Sequence, residues 1–129
     1  MGHGGAGMSL KLEEKKITID GAVYPLRCNM SVLERLQDGP GNGSIGNMME
    51  IPSYQAIFHI MKAMIDDACE DDPELPEVSM KRLKKLYSPA DLGEMGIFRM
   101  FVRSLTVVQT YEASGEGAKK NTAPENSGN

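Results

Sequence analysis

The chain has 129 residues, enough for one domain with a single hydrophobic core. Its 18 acidic and 14 basic residues give a net charge of −4, which argues against a general affinity for nucleic acid or for anionic membranes. The sequence has no run of about 18 apolar residues and no charged-then-apolar leader, so it predicts neither a membrane span nor a secretory signal. We therefore expect a cytoplasmic protein.

The chain is predicted to fold as one α+β domain, mainly α, between two polar ends. Residues 1–8 carry no apolar pattern and resemble a tag, so they are predicted to be a disordered leader. Residues 9–110 are predicted to form the globular domain. Residues 111–129 are too polar to offset the entropy lost on ordering, and they are predicted to be a disordered tail. Most of the ten methionines have helical spacing, which favours them as core side chains.

A β-hairpin is predicted at residues 16–26. Ile17-Thr18-Ile19 is a β-branched run, and Asp20-Gly21 is a pair that type I′ turns favour because both positions need a positive φ. A two-residue turn sets Ile17 opposite Tyr24. The apolar face of the ribbon would consist of Ile17, Ile19, Tyr24 and Leu26. A ribbon this small is marginal in water, so a helix must cover it.

Two helix-start signals follow the hairpin. Asn29 can cap a helix, and Ser31 with Glu34 has the spacing of a capping box. The first helix is predicted to run to about Asp38. Its apolar stripe would consist of Met30, Leu33 and Leu36.

The strongest helix prediction covers residues 52–68. The residues before it, 38–47, are rich in Gly and Asn and contain the pattern GxGxxG at Gly41–Gly46. A nucleotide-binding GxGxxG must lie between a strand and a helix, so we predict a flexible loop here instead. The apolar stripe of the second helix is Tyr54, Ile57, Ile60, Met61, Met64, Ile65 and Ala68. We expect this stripe to form the main wall of the core, with Phe58 and His59 off it.

An acidic linker at residues 70–77 is predicted to separate the second helix from a short third helix at residues 79–87. The two prolines of the linker stand where a calcium-binding loop would need its turn, so a solvated linker is favoured. The third helix has an apolar side and four cations, Lys81, Arg82, Lys84 and Lys85. These cations fit either a nucleic-acid contact or a solvated face that balances the acidic linker.

A fourth, long helix is predicted over residues 88–108. Ser88 at the cap and Pro89 at the first helical position mark its start. Gly93 and Gly96 weaken its first part, and their spacing would allow another helix to approach closely. The helix is apolar over more than one stripe, so it either lies deep in the domain or presents a second face to a partner.

No set of residues has the spacing of a catalytic or cofactor site. Cys28 or Cys69 with His59 is the one nucleophile–base combination, and neither cysteine has an activating neighbour in the sequence. His59 has no second metal ligand four residues on. We therefore expect no catalysis, no cofactor and no metal.

The hairpin and the first helix resemble the opening of the small tail assembly chaperones of long-tailed bacteriophages and prophages. The matching residues are Lys16-Ile17-Thr18-Ile19-Asp20-Gly21, Tyr24-Pro25-Leu26-Arg27, Met30, Leu33-Glu34 and Leu36. The resemblance implies a chaperone in the cytoplasm of the bacterial host. It would bind the tape measure protein, keep its long apolar helices soluble and help to recruit the major tail protein during tail tube assembly. Such a chaperone would leave before the virion is complete.

The resemblance also implies a rarer, longer form made by a programmed frameshift, for which codons of Lys119-Lys120-Asn121 can supply the slippery heptamer. Self-association is left open. A chaperone must offer apolar surface to its partner, so the widened fourth helix is the expected binding surface. The candidate partner-binding residues are Ile97, Phe98, Met100 and Phe101.

Two other functions stay open at this point. A small nucleic-acid-binding or regulatory module would use Lys81, Arg82, Lys84 and Lys85, and its binding would depend on salt. The net negative charge argues against that function, so nucleic-acid binding is not expected. A structural component of the virion would differ from a chaperone by staying in purified particles.

Overall fold

The computed structural model describes the backbone of residues 13–112 and the side chains of residues 13–106. A two-stranded antiparallel hairpin is followed by helices, which confirms the predicted α+β, mainly α fold. The elements are β1 (Glu14–Ile19), β2 (Ala22–Arg27), α1 (Met30–Asp38), a 3-10 helix (Ile45–Glu50), α2 (Ser53–Asp71), α3 (Met80–Leu86), α4 (Pro89–Glu94) and α5 (Ile97–Glu112). The predicted leader at residues 1–8 and residues 113–129 of the predicted tail lie outside the described residues, and the first two residues of that predicted tail, 111 and 112, belong to α5.

The hairpin has the predicted register. Ile17 pairs with Tyr24 and Ile19 pairs with Ala22. Asp20 and Gly21 have φ values of 51° and 86°, as a type I′ turn requires. Ile19, Tyr24 and Leu26 are buried and Ile17 is half-buried, so the predicted apolar face does point into the core.

Asn29 is the cap of α1. Its Oδ1 accepts a hydrogen bond from the backbone N–H of Val32 at 3.0 Å, and the helix begins at Met30. The predicted stripe is wrong at Met30, whose side chain is 63% exposed. The buried side chains of α1 are Val32, Leu33 and Leu36. Met30 lies about 200° around the helix axis from Val32 and therefore points away from the core.

Helix α2 is the central element of the fold. It contacts β2, α1, the 3-10 helix, α3, α4 and α5. The prediction that α2 forms the wall of the core is confirmed for the stripe from Ile57 to Ala68. The prediction is wrong for Tyr54, which is 58% exposed, and for Phe58, which is buried. The buried arc is wider than a single stripe because helices pack on more than one side of α2.

The long fourth helix of the sequence prediction is two helices, α4 and α5. The capping box at its start is confirmed: the carboxylate of Asp91 accepts a hydrogen bond from the N–H of Ser88 at 2.8 Å, and Ser88 Oγ accepts one from the N–H of Asp91 at 3.1 Å. The continuous helix is wrong because the chain turns at Gly96, whose φ is 79°. A left-handed residue ends a right-handed helix, and glycine adopts that conformation at little cost.

Three hydrogen bonds tie β2 and its junction with α1 to distant parts of the chain. The hydroxyl of Tyr24 donates to the C=O of Pro76 at 2.6 Å. Ser104 Oγ on α5 donates to the C=O of Cys28 at 2.7 Å, and this bond is buried. Asn29 Nδ2 donates to the carboxylate of Asp67 on α2 at 3.1 Å, and Asp67 is itself buried.

None of the helices in the described part of the chain combines the length and the apolar character needed to cross a membrane.

Alanine at the two glycines near the helix break is expected to have opposite effects. Gly96→Ala places a side chain at positive φ, so it should lower the free energy of unfolding by about 1–2 kcal/mol. Gly93→Ala lies within α4 with open space around the new methyl group, so it should raise that free energy by about 0.5 kcal/mol. Urea denaturation of both variants measures the difference, and equal effects would contradict the assigned helix break.

Removing the Ser104 hydroxyl tests the junction. Ser104→Ala leaves the buried C=O of Cys28 without its donor, so the free energy of unfolding should fall by about 1–3 kcal/mol. Thr106→Ala is the matched control, because the Thr106 hydroxyl donates to the C=O of Val102 on an exposed part of the same helix. The control should change stability by less than about 0.5 kcal/mol in the same urea titration. A Ser104→Ala effect no larger than that of the control would remove this bond from the account of the fold.

Candidate functional site

The four predicted partner-binding residues do not form a surface. Ile97, Met100 and Phe101 are buried in the core, and only Phe98 is partly exposed. Their spacing of three and four residues places Ile97, Met100 and Phe101 on the side of α5 that packs inward. The expectation that this helix offers all four side chains to a partner is therefore corrected to Phe98 alone.

Phe98 lies at the edge of a surface groove centred on Tyr54. The first half of the groove is a hollow of about 360 Å³, lined by Ser53, Tyr54, Ile57, Pro89, Ala90 and Phe98. The second half is a hollow of about 330 Å³, lined by Tyr54, Gln55, Phe58, His59, Met80, Lys84 and Pro89. The two hollows share Tyr54 and Pro89, and we call them together the Tyr54 groove.

The Tyr54 groove forms where the first turns of three helices meet. Tyr54 lies in the first turn of α2, Pro89 begins α4, and Phe98 lies in the first turn of α5. The ring of Phe98 packs on the ring of Phe101 in the core, with centroids 6.0 Å apart and an angle of 47° between the planes. Phe98 is thus held in place from below while part of its surface faces the groove.

The charged residue that lines the Tyr54 groove is Lys84. Of the side chains that the structure describes, none that lines either hollow is acidic. Burial lowers the pKa of His59, and the nearby positive charge of Lys84 lowers it further, so the imidazole is neutral at pH 7. The groove is therefore apolar at the Phe98 end and carries a positive charge at the Lys84 end.

The four cations of the basic helix α3 have different surroundings. Arg82 binds the carboxylate of Asp20 in the hairpin turn, with Nη2 2.7 Å and Nε 3.2 Å from its two oxygens. The hydrogen bonds from Arg82 hold the pKa of Asp20 below its usual value. Arg82 thereby links α3 to the hairpin. Lys81, Lys84 and Lys85 are exposed, and of these Lys84 lines the groove.

A second cleft between α1 and α2 is polar. It is lined by Arg35, Lys62, Asp66, Cys69, Glu70 and Glu77. Four of its five charged side chains pair with each other: Arg35 binds Glu70, and Lys62 Nζ lies 2.6 Å from an oxygen of Asp66. Because opposite charges already neutralise each other here, this cleft has little charge left for a ligand.

The two cysteines are free thiols that do not favour the thiolate form. Burial raises the pKa of the Cys28 thiol to about 11, although the Ser104 hydroxyl near the sulfur opposes the shift. Burial also raises the pKa of Cys69, and the negative charges of Asp66 and Glu77 add to that shift. The suggested pairing of a cysteine nucleophile with His59 therefore lacks the lowered thiol pKa that such chemistry uses.

Among the described residues, no group of three or more His, Cys, Asp or Glu side chains is placed to hold a metal ion. Sequence reasoning missed Tyr54 as a surface residue because it fits the helical stripe of α2. Its position in the first turn, directly after Pro52-Ser53, was the available signal. A side chain in the first turn can lie beyond the end of the core.

No protein-family model, no curated protein and no solved structure matches the chain.

The raised pKa of Cys28 predicts a specific loss of stability in alkali. Between about pH 9 and pH 11 the unfolded chain loses the thiol proton while the folded chain keeps it, so unfolding becomes more favourable as the pH rises. This contribution is complete below about pH 9, and its loss should reach about 2–3 kcal/mol near pH 11.

Urea denaturation of the native chain and of Cys28→Ala across this pH range measures that loss. The other titrating groups are common to both proteins, so the difference in slope reports Cys28 alone. The native chain should lose stability more steeply, whereas Cys69→Ala should keep a steep slope. Parallel curves for the native chain and Cys28→Ala would show that Cys28 ionises equally in both states.

Proposed function

We propose that this protein is a tail assembly chaperone of a long-tailed bacteriophage or prophage. It is non-catalytic and acts in the cytoplasm of the bacterial host. It binds the tape measure protein, keeps it soluble and helps to recruit the major tail protein during tail tube assembly. It leaves before the virion is complete.

The observation that carries the proposal is the Tyr54 groove. A chaperone for long apolar helices needs apolar surface that a partner can cover, without enough of it to make the free chaperone aggregate. Tyr54 is 58% exposed, and the two hollows beside it are lined in part by the rings of Phe58 and Phe98. Ser53, Gln55 and Lys84 supply polar groups at the rim. An apolar centre with a polar rim is the usual composition of a protein-binding site.

The family resemblance supports the proposal in a different way. Its residues, 16–36, form the hairpin and α1, which pack on α2 and contribute nothing to the lining of the groove. The resemblance therefore concerns the scaffold. The partner surface would be formed by residues further along the chain.

Co-expression with the tape measure protein from the same genome tests the function. The tape measure protein should be insoluble alone, and it should become soluble and co-purify when this chain is present. Tyr54→Asp should abolish that effect, because a charge in the groove would have to be buried against an apolar partner. The substitution should leave the fold intact, since an acidic residue in the first turn of a helix interacts favourably with the helix dipole.

Met49→Asp is the matched control. Met49 is as exposed as Tyr54, at 58%, but it lies on the 3-10 helix and does not line the groove. It should solubilise the tape measure protein as well as the native chain does. An insoluble tape measure protein in the presence of the native chain would contradict the proposal. Recovery of the chain from purified virions would favour a structural component instead.

A further inference from the structure

We propose that the Tyr54 groove recognises an amphipathic helix whose apolar stripe is flanked at one end by acidic residues, with the acidic end lying over Lys84. This inference rests on the proposed function, because it specifies which segment of an apolar partner the groove takes. It also specifies the charge at one end of the bound segment, which the chaperone function alone does not require.

The walls of the groove favour a helical occupant over an extended one. All of the described residues that line the groove belong to helices, so this part of the chain offers no strand edge with free backbone donors and acceptors there. Pro89 has no N–H, and the N–H groups of Ser88 and Asp91 at the same helix start are used in the capping box. An extended peptide would leave its own backbone groups unpaired against apolar walls. A helix satisfies its backbone internally and presents side chains three and four residues apart.

The division of the groove into two hollows fits the spacing of such side chains. The hollow at the Phe98 end has Ile57, Pro89 and Ala90 around it and suits an apolar side chain. The other hollow has Phe58 and Met80 at its apolar side, with Gln55 and Lys84 beside them. Met80 can adjust its conformation to side chains of different shape, which suits a site that accepts more than one apolar residue.

The uneven charge of the groove determines which end of a bound helix lies over Lys84. The chain has 18 acidic residues and a net charge of −4, yet none of the acidic side chains that the structure describes, within residues 13–106, lines the groove. Lys84 is exposed at one end, and Lys81 and Lys85 are exposed on the same short helix. The imidazole of His59 beside Lys84 is neutral at pH 7, so it neither offsets the positive charge of Lys84 nor adds a second one. At the other end the lining side chains are uncharged, so an acidic flank gains most over Lys84.

Binding of two designed peptides to the full chain tests the inference. Both peptides have about 18 residues, so that a helix can form, and both carry the same apolar stripe. One has glutamates after the stripe and the other has lysines at the same positions. Fluorescence anisotropy at low salt measures both dissociation constants. The glutamate peptide should bind about five- to tenfold more tightly, and the difference should shrink in about 0.5 M salt.

Charge reversal at Lys84 provides the decisive comparison. Lys84→Glu should abolish or invert the preference for the glutamate peptide, because it replaces the attractive charge with a repulsive one. Lys85→Glu is the matched control, since it makes the same change on the same helix without lining the groove. It should retain more than half of the preference measured as the ratio of dissociation constants. Tyr54→Asp should weaken binding of both peptides.

Several results would overturn the inference. Equal affinity for the two peptides, a preference that Lys84→Glu leaves unchanged, or equal binding of a scrambled peptide without an apolar stripe would each do so. Self-association of the free chain that Tyr54→Asp abolishes would assign the groove to a second copy instead. If the native chain solubilises the tape measure protein but binds the glutamate and lysine peptides equally, the inference about the acidic flank fails and the proposed function stands. If the chain prefers the glutamate peptide but the tape measure protein stays insoluble, the inference about what the Tyr54 groove binds stands and the proposed function fails.

Discussion

Burial of the backbone where β2 leads into α1 is the constraint on which the rest of the fold depends. A two-stranded ribbon needs a cover to be stable, and covering it takes the C=O of Cys28 out of water. Ser104 on α5 supplies the missing donor. At the next residue, Asp67 on α2 accepts from the amide of Asn29 and so leaves Asn29 Oδ1 to cap α1. Apolar packing alone is non-directional, whereas these bonds fix how α2 and α5 are placed against the ribbon.

The Tyr54 groove follows from the break between α4 and α5. The positive φ of Gly96 lets the two helices contact α2 separately. The first turns of α2, α4 and α5 then meet around the apolar half of the groove. Side chains in a first turn have no preceding turn of their own helix to pack against. A place where three such turns meet is therefore a natural position for a hollow on an otherwise well-packed domain.

The sequence predicted best what is decided locally. The hairpin register follows from Asp20-Gly21, and the capping box at Ser88 follows from spacing alone. Exposure was harder to predict, because a helical stripe says which side chains lie together but not where the neighbouring helices end. Tyr54 belongs to the stripe and still lies outside the core. The sequence marks Gly96 as a weak point of the helix, but its positive φ depends on tertiary packing, which the sequence pattern does not contain.

Exposed apolar side chains outside the groove lie on separate elements. They are Val23 on β2, Met30 on α1, Met49 in the 3-10 helix, Leu86 on α3 and Val102 on α5. A single exposed side chain that does not border a hollow gives a partner little contact area beyond the area of that side chain itself. Tyr54 stands beside concave hollows, where a partner's side chain can be enclosed on several sides and lose more apolar area from water. Affinity for an apolar partner would thus be concentrated in one groove, while the remaining exposed apolar side chains are distributed over separate elements.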